Sequence, residues 1–273
     1  MKIGTNSLLL VGCGKMGSAL LRGWLSAGLA PDQVTVLDPN PSDWLRELEA
    51  IGLHLNIDVD PAPSVAVIAV KPQVLAKAIP GLRDFGGGGT LFVSIAAGAS
   101  MSAFENLLGP NTPVVRTMPN TPAAVGAGMT ALVPNLHASP DQVSLADMLM
   151  RAVGETVLLD DEPQMHAVTA ISGSGPAYVF ALTEALARAG TELGLRDDIA
   201  QKLSSAMVCG SGKLMDSSTE TPGELRVQVT SPNGTTAAGL EKLQAKDAGI
   251  DQLILETAQA AFNRSVELSQ EAR

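Results

Sequence analysis

The sequence predicts an α/β domain followed by an all-α domain. Three observations lead there. Short apolar runs alternate with helix-like stretches as far as Asp160; some of those runs are apolar without alternation; and beyond Asp160 strand signals give way to three-to-four apolar spacing. Alternation on this scale implies a parallel sheet with helices on both faces, and strands covered on both sides carry unbroken apolar runs. With 273 residues, 45% hydrophobic and 17% charged, the chain can build two cores and lacks a disordered composition.

In chain order, strands are expected at Leu8–Val11, Gln33–Asp38, Val65–Val70, Thr90–Ser94, Pro113–Thr117, Met129–Val133 and Thr156–Asp160. Helices are expected over Lys15–Ala27, Ser42–Ile51, Gln73–Leu82, Met101–Leu108 and Pro140–Val153. The runs at 65–70 and 91–95 are the ones without alternation, and Gly86–Gly89 reads as a flexible turn. A boundary near Asp160–Pro163 divides the chain into 1–160 and 161–273. Past it, Val179, Leu182, Leu186, Ala189 and Leu193 form one apolar stripe, and Ile250, Leu253, Ile254, Ala258, Ala261 and Phe262 form another. A small helical domain hides only part of such surface by itself. Packing against a second copy removes the problem, so a homodimer through this domain is expected.

Composition excludes several function classes. A net charge of −10 opposes non-specific nucleic-acid binding, and 3% aromatics leave little for a base-stacking surface. Two cysteines, Cys13 and Cys209, make no disulfide framework. No run is long enough for a membrane span, and the apolar run that ends at Gly12 is too short for a secretory signal. The expectation is a cytoplasmic protein. His54, His137 and His166 stand in no metal-ligand spacing, and neither H-E-x-x-H, C-x-x-C nor G-x-S-x-G occurs. No metal is expected.

The segment Leu8-Leu-Leu-Val-Gly12-Cys13-Gly14-Lys15-Met16-Gly17 is a G-x-G-x-x-G between a buried strand and a helix. The first glycine permits the tight turn, the second the approach of a pyrophosphate, and the third close helix–strand packing. The helix start offers free N–H groups to the phosphates. In this context the first domain reads as Rossmann-like and dinucleotide-binding. Asp38 falls about 20 residues further on, where an acid pairs with an unphosphorylated ribose 2′-hydroxyl. That rule leans to NADH, whereas Asn40 and Ser42 remain able to bond a 2′-phosphate if Asp38 turns away. Lys71, after the Val65–Val70 strand, is either a solvated lysine or a cation aimed at cofactor or substrate. In Arg116-Thr-Met-Pro119-Asn120-Thr-Pro122 two prolines stiffen the backbone, as a rigid turn or as a wall for a nicotinamide.

Two stretches of the second domain are chemically dense. Ala170-Ile-Ser172-Gly-Ser174-Gly-Pro176 reads locally as a helix start built from small residues and hydroxyls. Thr230-Ser231-Pro-Asn233-Gly234-Thr235-Thr236 precedes a helix from about Ala237 to Ala245. Its hydroxyls either cap that helix, or its N–H groups receive a carboxylate.

Together these stretches resemble pyrroline-5-carboxylate reductase over nearly the whole chain. The resemblance rests on Gly12–Gly17, Ala69-Val-Lys-Pro-Gln73, Val115–Pro122, Ala167–Tyr178 and Gln228–Thr236, all in the family's order. It implies NAD(P)H-dependent reduction of 1-pyrroline-5-carboxylate to L-proline, the last step of proline biosynthesis. It also implies a helical dimerisation domain, with higher assemblies in some members. Gly12–Gly17, Asn56, Val70–Pro72 and Ala96-Ala97-Gly98 are then expected to line the cofactor, with Asn120 in the proline-flanked wall. The substrate carboxylate belongs on Ser231, Gly234, Thr235 and Thr236, with Thr236 also near the ring nitrogen. Thr236 and Ser174 are the candidate catalytic positions, and Glu162 and Glu220 the candidate carboxylates near that nitrogen. Three positions depart from the family pattern. Asn233 replaces the usual first glycine of the loop, His166 a commonly acidic residue, and Asp38 opposes the NADPH preference common in the family. NADPH is favoured slightly over NADH on the family's behaviour.

Two rival readings have discriminating features. Another imine or keto-acid reductase of the 6-phosphogluconate dehydrogenase-like group presents a lysine proton donor in its helical domain. Here Lys202, Lys213, Lys242 and Lys246 all fall outside the dense motifs. A dinucleotide-binding sensor without turnover leaves the two hydroxyl-rich loops unexplained.

Overall fold

The structure, a computed structural model, describes residues 7–271. Among them the strands are β1 (Leu8–Val11), β2 (Val34–Leu37), β3 (His54–Leu55), β4 (Val65–Ile68), β5 (Leu91–Ser94), β6 (Val114–Met118), β7 (Gly128–Pro134) and β8 (Gly154–Leu158). They form one sheet in the order β3-β2-β1-β4-β5-β6-β7-β8. The first six run parallel, as the alternation predicts. The expectation of a wholly parallel sheet needs correction at β7, which pairs antiparallel with β6, while β8 is parallel to β7. The cause is the short link between β6 and β7, which holds only a 3₁₀ turn at Thr121–Val125. A parallel crossover needs a longer connection, usually a helix.

The helices of this part are α1 (Lys15–Ser26), α2 (Asp43–Glu49), α3 (Pro72–Ala78), α4 (Met101–Leu108) and α5 (Pro140–Arg151). Alternate strand residues feed two cores. Leu8, Leu10, Val36, Val67 and Val93 pack on one face with Leu20 and Trp24 of α1, Leu45 of α2 and Leu149 of α5. Leu9, Val11, Ala66, Ile68 and Phe92 pack on the other with Leu75 of α3 and Phe104 of α4. Each fully buried Leu, Ile or Phe contributes about 1.5–3 kcal/mol, so this sheet carries most of the stability. Trp24 is fully buried, and its indole N–H donates to Leu149 O at 2.8 Å, joining α1 to α5.

The remaining elements are α6 (Gln164–Val168), a π turn (Thr169–Gly173), α7 (Gly175–Glu192), α8 (Asp197–Ser217), α9 (Pro222–Gln228), α10 (Thr235–Leu243) and α11 (Ile250–Glu271). Two compact units emerge. One holds the described residues up to Ser174 together with α11 from Ala261 onward, and the other holds Gly175–Ala260. The division therefore falls after the π turn, past the expected Asp160–Pro163. The reason is Met165 of α6, which is fully buried in a cluster with Met101, Met118, Ala131 and Val133. In the second unit α7 and α8 form a helical hairpin, with Gly190 allowing Ala200 to approach; a Cβ at Gly190 would lie 3.1 Å from Ala200 Cβ. No residue of α7, α9 or α10 is buried. Phe180 is 64% exposed and Leu203 55%.

Candidate active site

The turn after β1 gives its three glycines distinct surroundings. Gly12 has φ +88°, and a Cβ there would meet Val70 Cγ1 at 2.8 Å and Ala69 O at 3.0 Å. A Cβ on Gly17 would stand 2.5 Å from Gly12 O. A Cβ on Gly14 would meet nothing within 4 Å. The first and third glycines are thus demanded by the fold, while the second faces open space that a ligand can fill. Gly14 is also the N-cap of α1 and supplies no side-chain cap, and the first turn carries no acid. The N–H groups there remain available to an anion. These residues fit the pyrophosphate of a dinucleotide.

Cys13, within this turn, is buried, and burial is the main cause that pushes its thiol pKa up. Its amide donates to Asp38 Oδ2 at 2.7 Å, and the Asn40 amide donates to Asp38 Oδ1 at 2.8 Å. Both carboxylate oxygens of Asp38 therefore hold main-chain donors. Asn56, in the left-handed region at φ +52°, completes the arrangement. Its side chain accepts from the Asp38 amide and donates to the Asp38 carbonyl, each at 2.8 Å. Asn56, expected against cofactor, is here the brace that fixes Asp38 at the end of β2.

A cavity of about 450 Å³ opens beside the glycine turn. It gathers Gly14, Lys15 and Met16 with Val70 and Lys71 from the loop after β4, and Ala96 and Ala97 from the loop after β5. Met118 and Pro119 come from the end of β6, and Thr169, Gly173 and Ser174 from the π turn. Loops that follow parallel strands collect in this way at the carboxyl edge of a sheet. Two exposed lysines, Lys15 and Lys71, line it. Pro72 opens α3 just behind Lys71, and Gly98 lies at φ +80°, where a Cβ would stand 3.6 Å from the Leu268 backbone.

Asn120 is held by protein groups. Its Nδ2 donates to Ser172 O at 3.3 Å and contacts Ser172 Oγ at 3.2 Å, while its Oδ1 accepts from the Met129 amide at 2.9 Å. It clamps the π turn to β7. The stretch read as a helix start is that π turn, closed by the Ser174 amide donating to Thr169 O at 2.8 Å. Single π turns inside helices recur at functional sites. Met118, Pro119 and Thr169 are not among the site residues expected from sequence; the first two lie in the stiff Arg116–Pro122 segment, and Thr169 lies in the Ala167–Tyr178 stretch that carries the family resemblance.

Glu162 has partners of its own. Its Oε1 accepts from Arg116 Nη1 at 2.7 Å and from the Met101 amide at 2.8 Å. Arg116 is 2% exposed, and its Nε is buried without a partner. Nearby, His166 Nδ1 lies 2.9 Å from Ser265 Oγ and its ring meets Phe262 edge-on. Burial, reinforced by the Arg116 charge and opposed by Glu162, holds this imidazole below its ordinary pKa. Among the described residues, no group of three or more His, Cys, Asp or Glu could hold a metal ion.

In the second unit, Thr221 caps α9, and the exposed Glu220 is held by Ser218 and Gln228. The hydroxyl loop then turns through Asn233, which adopts φ +58°, and the Gly234 amide donates to Ser231 O at 3.0 Å. Asparagine accepts that left-handed conformation, so the loop closes without the family's glycine. The following helix, α10, starts at Thr235, earlier than expected from sequence, and Gly234 at its N-cap provides no side-chain cap. The hydroxyls of Ser231, Thr235 and Thr236 are thus not used to cap it, and its first N–H groups stay open to a carboxylate.

The family described as pyrroline-5-carboxylate reductase dimerisation matches residues 162–268, and that described as NADP oxidoreductase, coenzyme F420-dependent, matches 7–98. The pyrroline-5-carboxylate reductase of Pseudomonas aeruginosa is 37% identical over 270 residues, 98% of each chain. The structure of a pyrroline-5-carboxylate reductase from Coxiella burnetii superposes with a TM-score of 0.90 at 34% identity, covering 97% of this chain and 99% of that one. The Plasmodium falciparum pyrroline carboxylate reductase with NADP bound superposes with a TM-score of 0.80 at 26% identity, covering 96% and 98%.

Proposed function

The chain belongs to the pyrroline-5-carboxylate reductase family and reduces 1-pyrroline-5-carboxylate to proline with a nicotinamide dinucleotide, and from that premise we propose how its residues divide the work. Gly12–Gly17 and the start of α1 hold the pyrophosphate, with Lys15 and Lys71 as its cations. Val70, Ala96, Ala97, Met118 and Pro119 form the apolar wall. Bound there, the reduced nicotinamide supplies the hydride that C5 of the cyclic imine receives. The observation that carries this reading is the cavity beside Gly14, where a fold-demanded turn leaves one glycine facing empty space.

NADPH is the preferred cofactor. Support comes from exposed Asn40 and Ser42, placed to bond a 2′-phosphate, while the Asp38 carboxylate beside them is held back by the Cys13 and Asn40 amides. The NADP bound to the Plasmodium relative agrees. The substrate carboxylate is assigned to the uncapped α10 start with Ser231, Gly234, Thr235 and Thr236, and Thr236 also to the ring nitrogen; Ser174 lines the dinucleotide cavity. Glu162 and Glu220 are both engaged by neighbours. The imine is therefore bound already protonated, a form that accepts hydride without an acid from the enzyme.

Functionally the chain divides into 1–160 for cofactor and 161–273 for substrate and assembly, in line with the dimerisation match at 162–268. The dimerisation domain makes the protein a homo-oligomer; a dimer is its basic unit, supported by the unburied apolar side chains of α7. No helix among the described residues is long and apolar enough to cross a membrane, and both cysteines are free; a cytoplasmic location accords with this. The test is loss of nicotinamide absorbance with pyrroline-5-carboxylate and each dinucleotide in turn. Turnover with a higher kcat/KM for NADPH is expected. No turnover with either sinks the assignment, and equal efficiencies sink the preference.

A further inference from the structure

We propose that Glu162 is a positioning residue which, through buried Arg116 and the start of α4, sets the spacing between the walls of the dinucleotide cavity. The proposal rests on the reading of that cavity as the cofactor site. One oxygen, Glu162 Oε1, accepts from Arg116 Nη1 at 2.7 Å and from the Met101 amide at 2.8 Å. Each partner belongs to an element that leads into the cavity. Arg116 is on β6, two residues before Met118, and Met101 follows the loop that contributes Ala96 and Ala97. Glu162 itself directly precedes α6 and the π turn, which contribute Thr169, Gly173 and Ser174. One carboxylate thus joins three walls.

Two features distinguish this from an ordinary surface ion pair. The guanidinium is buried, so its charge needs a partner, and removal of the acid leaves it uncompensated. The Nε of Arg116 already lacks an acceptor, so loss of Glu162 leaves a second donor of this buried cation unpaired. A truncated Glu162 would leave a hole lined by a buried cation and a helix-start amide, shaped for a small carboxylate. Hydride transfer depends steeply on placement, and a shift of about 1 Å can cost on the order of a hundredfold in rate.

The test uses the full-length protein in its native assembly. Glu162→Gln should lower kcat by about 10- to 100-fold, with substrate KM and the dinucleotide Kd, read by nicotinamide fluorescence, changing only a few-fold. Glu162→Asp should recover part of kcat. In Glu162→Gly, formate, against chloride at equal ionic strength, should raise both kcat and the thermal midpoint, while leaving wild type unmoved. The midpoint reads the filled hole without any cofactor. If Glu162→Gly does not fold, the Gln and Asp variants decide. Unchanged kcat in folded Glu162→Gln overturns the proposal. So does a rise in substrate KM at constant kcat, which marks a substrate contact, or a folded Glu162→Gly indifferent to formate. A wild type that does not turn over pyrroline-5-carboxylate defeats the functional reading instead; the formate effect on the midpoint still judges the anion hole.

Discussion

Asp38 Oδ2 accepts the Cys13 amide at 2.7 Å, so the carboxylate at the end of β2 is turned back onto the glycine loop. An acid at this position is therefore both a brace for the phosphate-binding turn and a negative charge beside the ribose site. Asp38→Ser removes both. A hydrogen bond to a charged group is worth about 1.5–3 kcal/mol, so NADH affinity should fall by about tenfold. NADPH, relieved of a repulsive charge, should lose less. Fluorescence titration with each dinucleotide checks this, and an unchanged NADPH/NADH ratio removes Asp38 from cofactor choice.

The glycine turn permits a clean separation of fold from ligand. Gly17→Ala sets a Cβ against the Gly12 carbonyl, a backbone atom that cannot give way, and overpacking of this kind costs about 1–3 kcal/mol. Gly14→Ala meets nothing in the protein. It should keep its denaturation midpoint and lose dinucleotide affinity by about tenfold or more, since the methyl occupies the space left for pyrophosphate. If Gly14→Ala binds normally, the cofactor does not approach that turn.

His166 couples stability to pH. Its folded pKa lies below the ordinary value of 6.5, first through burial and then through Arg116, with Glu162 opposing. Ser265 and Phe262 of α11 complete its surroundings. The unfolded chain thus binds this proton at higher pH than the folded one. Stability is full above 6.5, falls as pH drops below it, and levels off under the folded value. Denaturant midpoints across this window should decline in wild type and decline less in His166→Gln. Identical slopes exclude His166 as the source.

Self-association should depend on α7. Phe180 is 64% exposed on a helix without a single buried residue. Phe180→Glu places a charge where a partner must desolvate it, so light scattering should shift toward the 28.1 kDa monomer. An unshifted mass at low micromolar concentration argues that the copies meet elsewhere.

Much of the first domain is legible in sequence because its signals are local. β1 and α4 stand at their expected bounds, Leu8–Val11 and Met101–Leu108. The two-residue β3 carries too little pattern to be noticed. The reversal at β7 follows from the length of one loop, a weaker cue than apolar spacing. At the site, Lys15, Met16, Val70, Lys71, Ala96, Ala97 and Ser174 are all brought to one cavity. Asn56, Asn120 and Glu162, chosen by residue type and resemblance, bond protein atoms.

By itself, the sequence determined which segments become strands and helices, and where a phosphate-binding turn must lie. Periodicity and glycine placement express constraints acting within a few residues. Tertiary structure alone decided what the polar side chains hold. Arg116 and Glu162 are 46 positions apart, and Cys13 and Asp38 are 25 apart. Such partners meet only once strand order is set, and burial then obliges most polar groups to find one. That obligation turns Asp38 inward and makes Glu162 a link between walls.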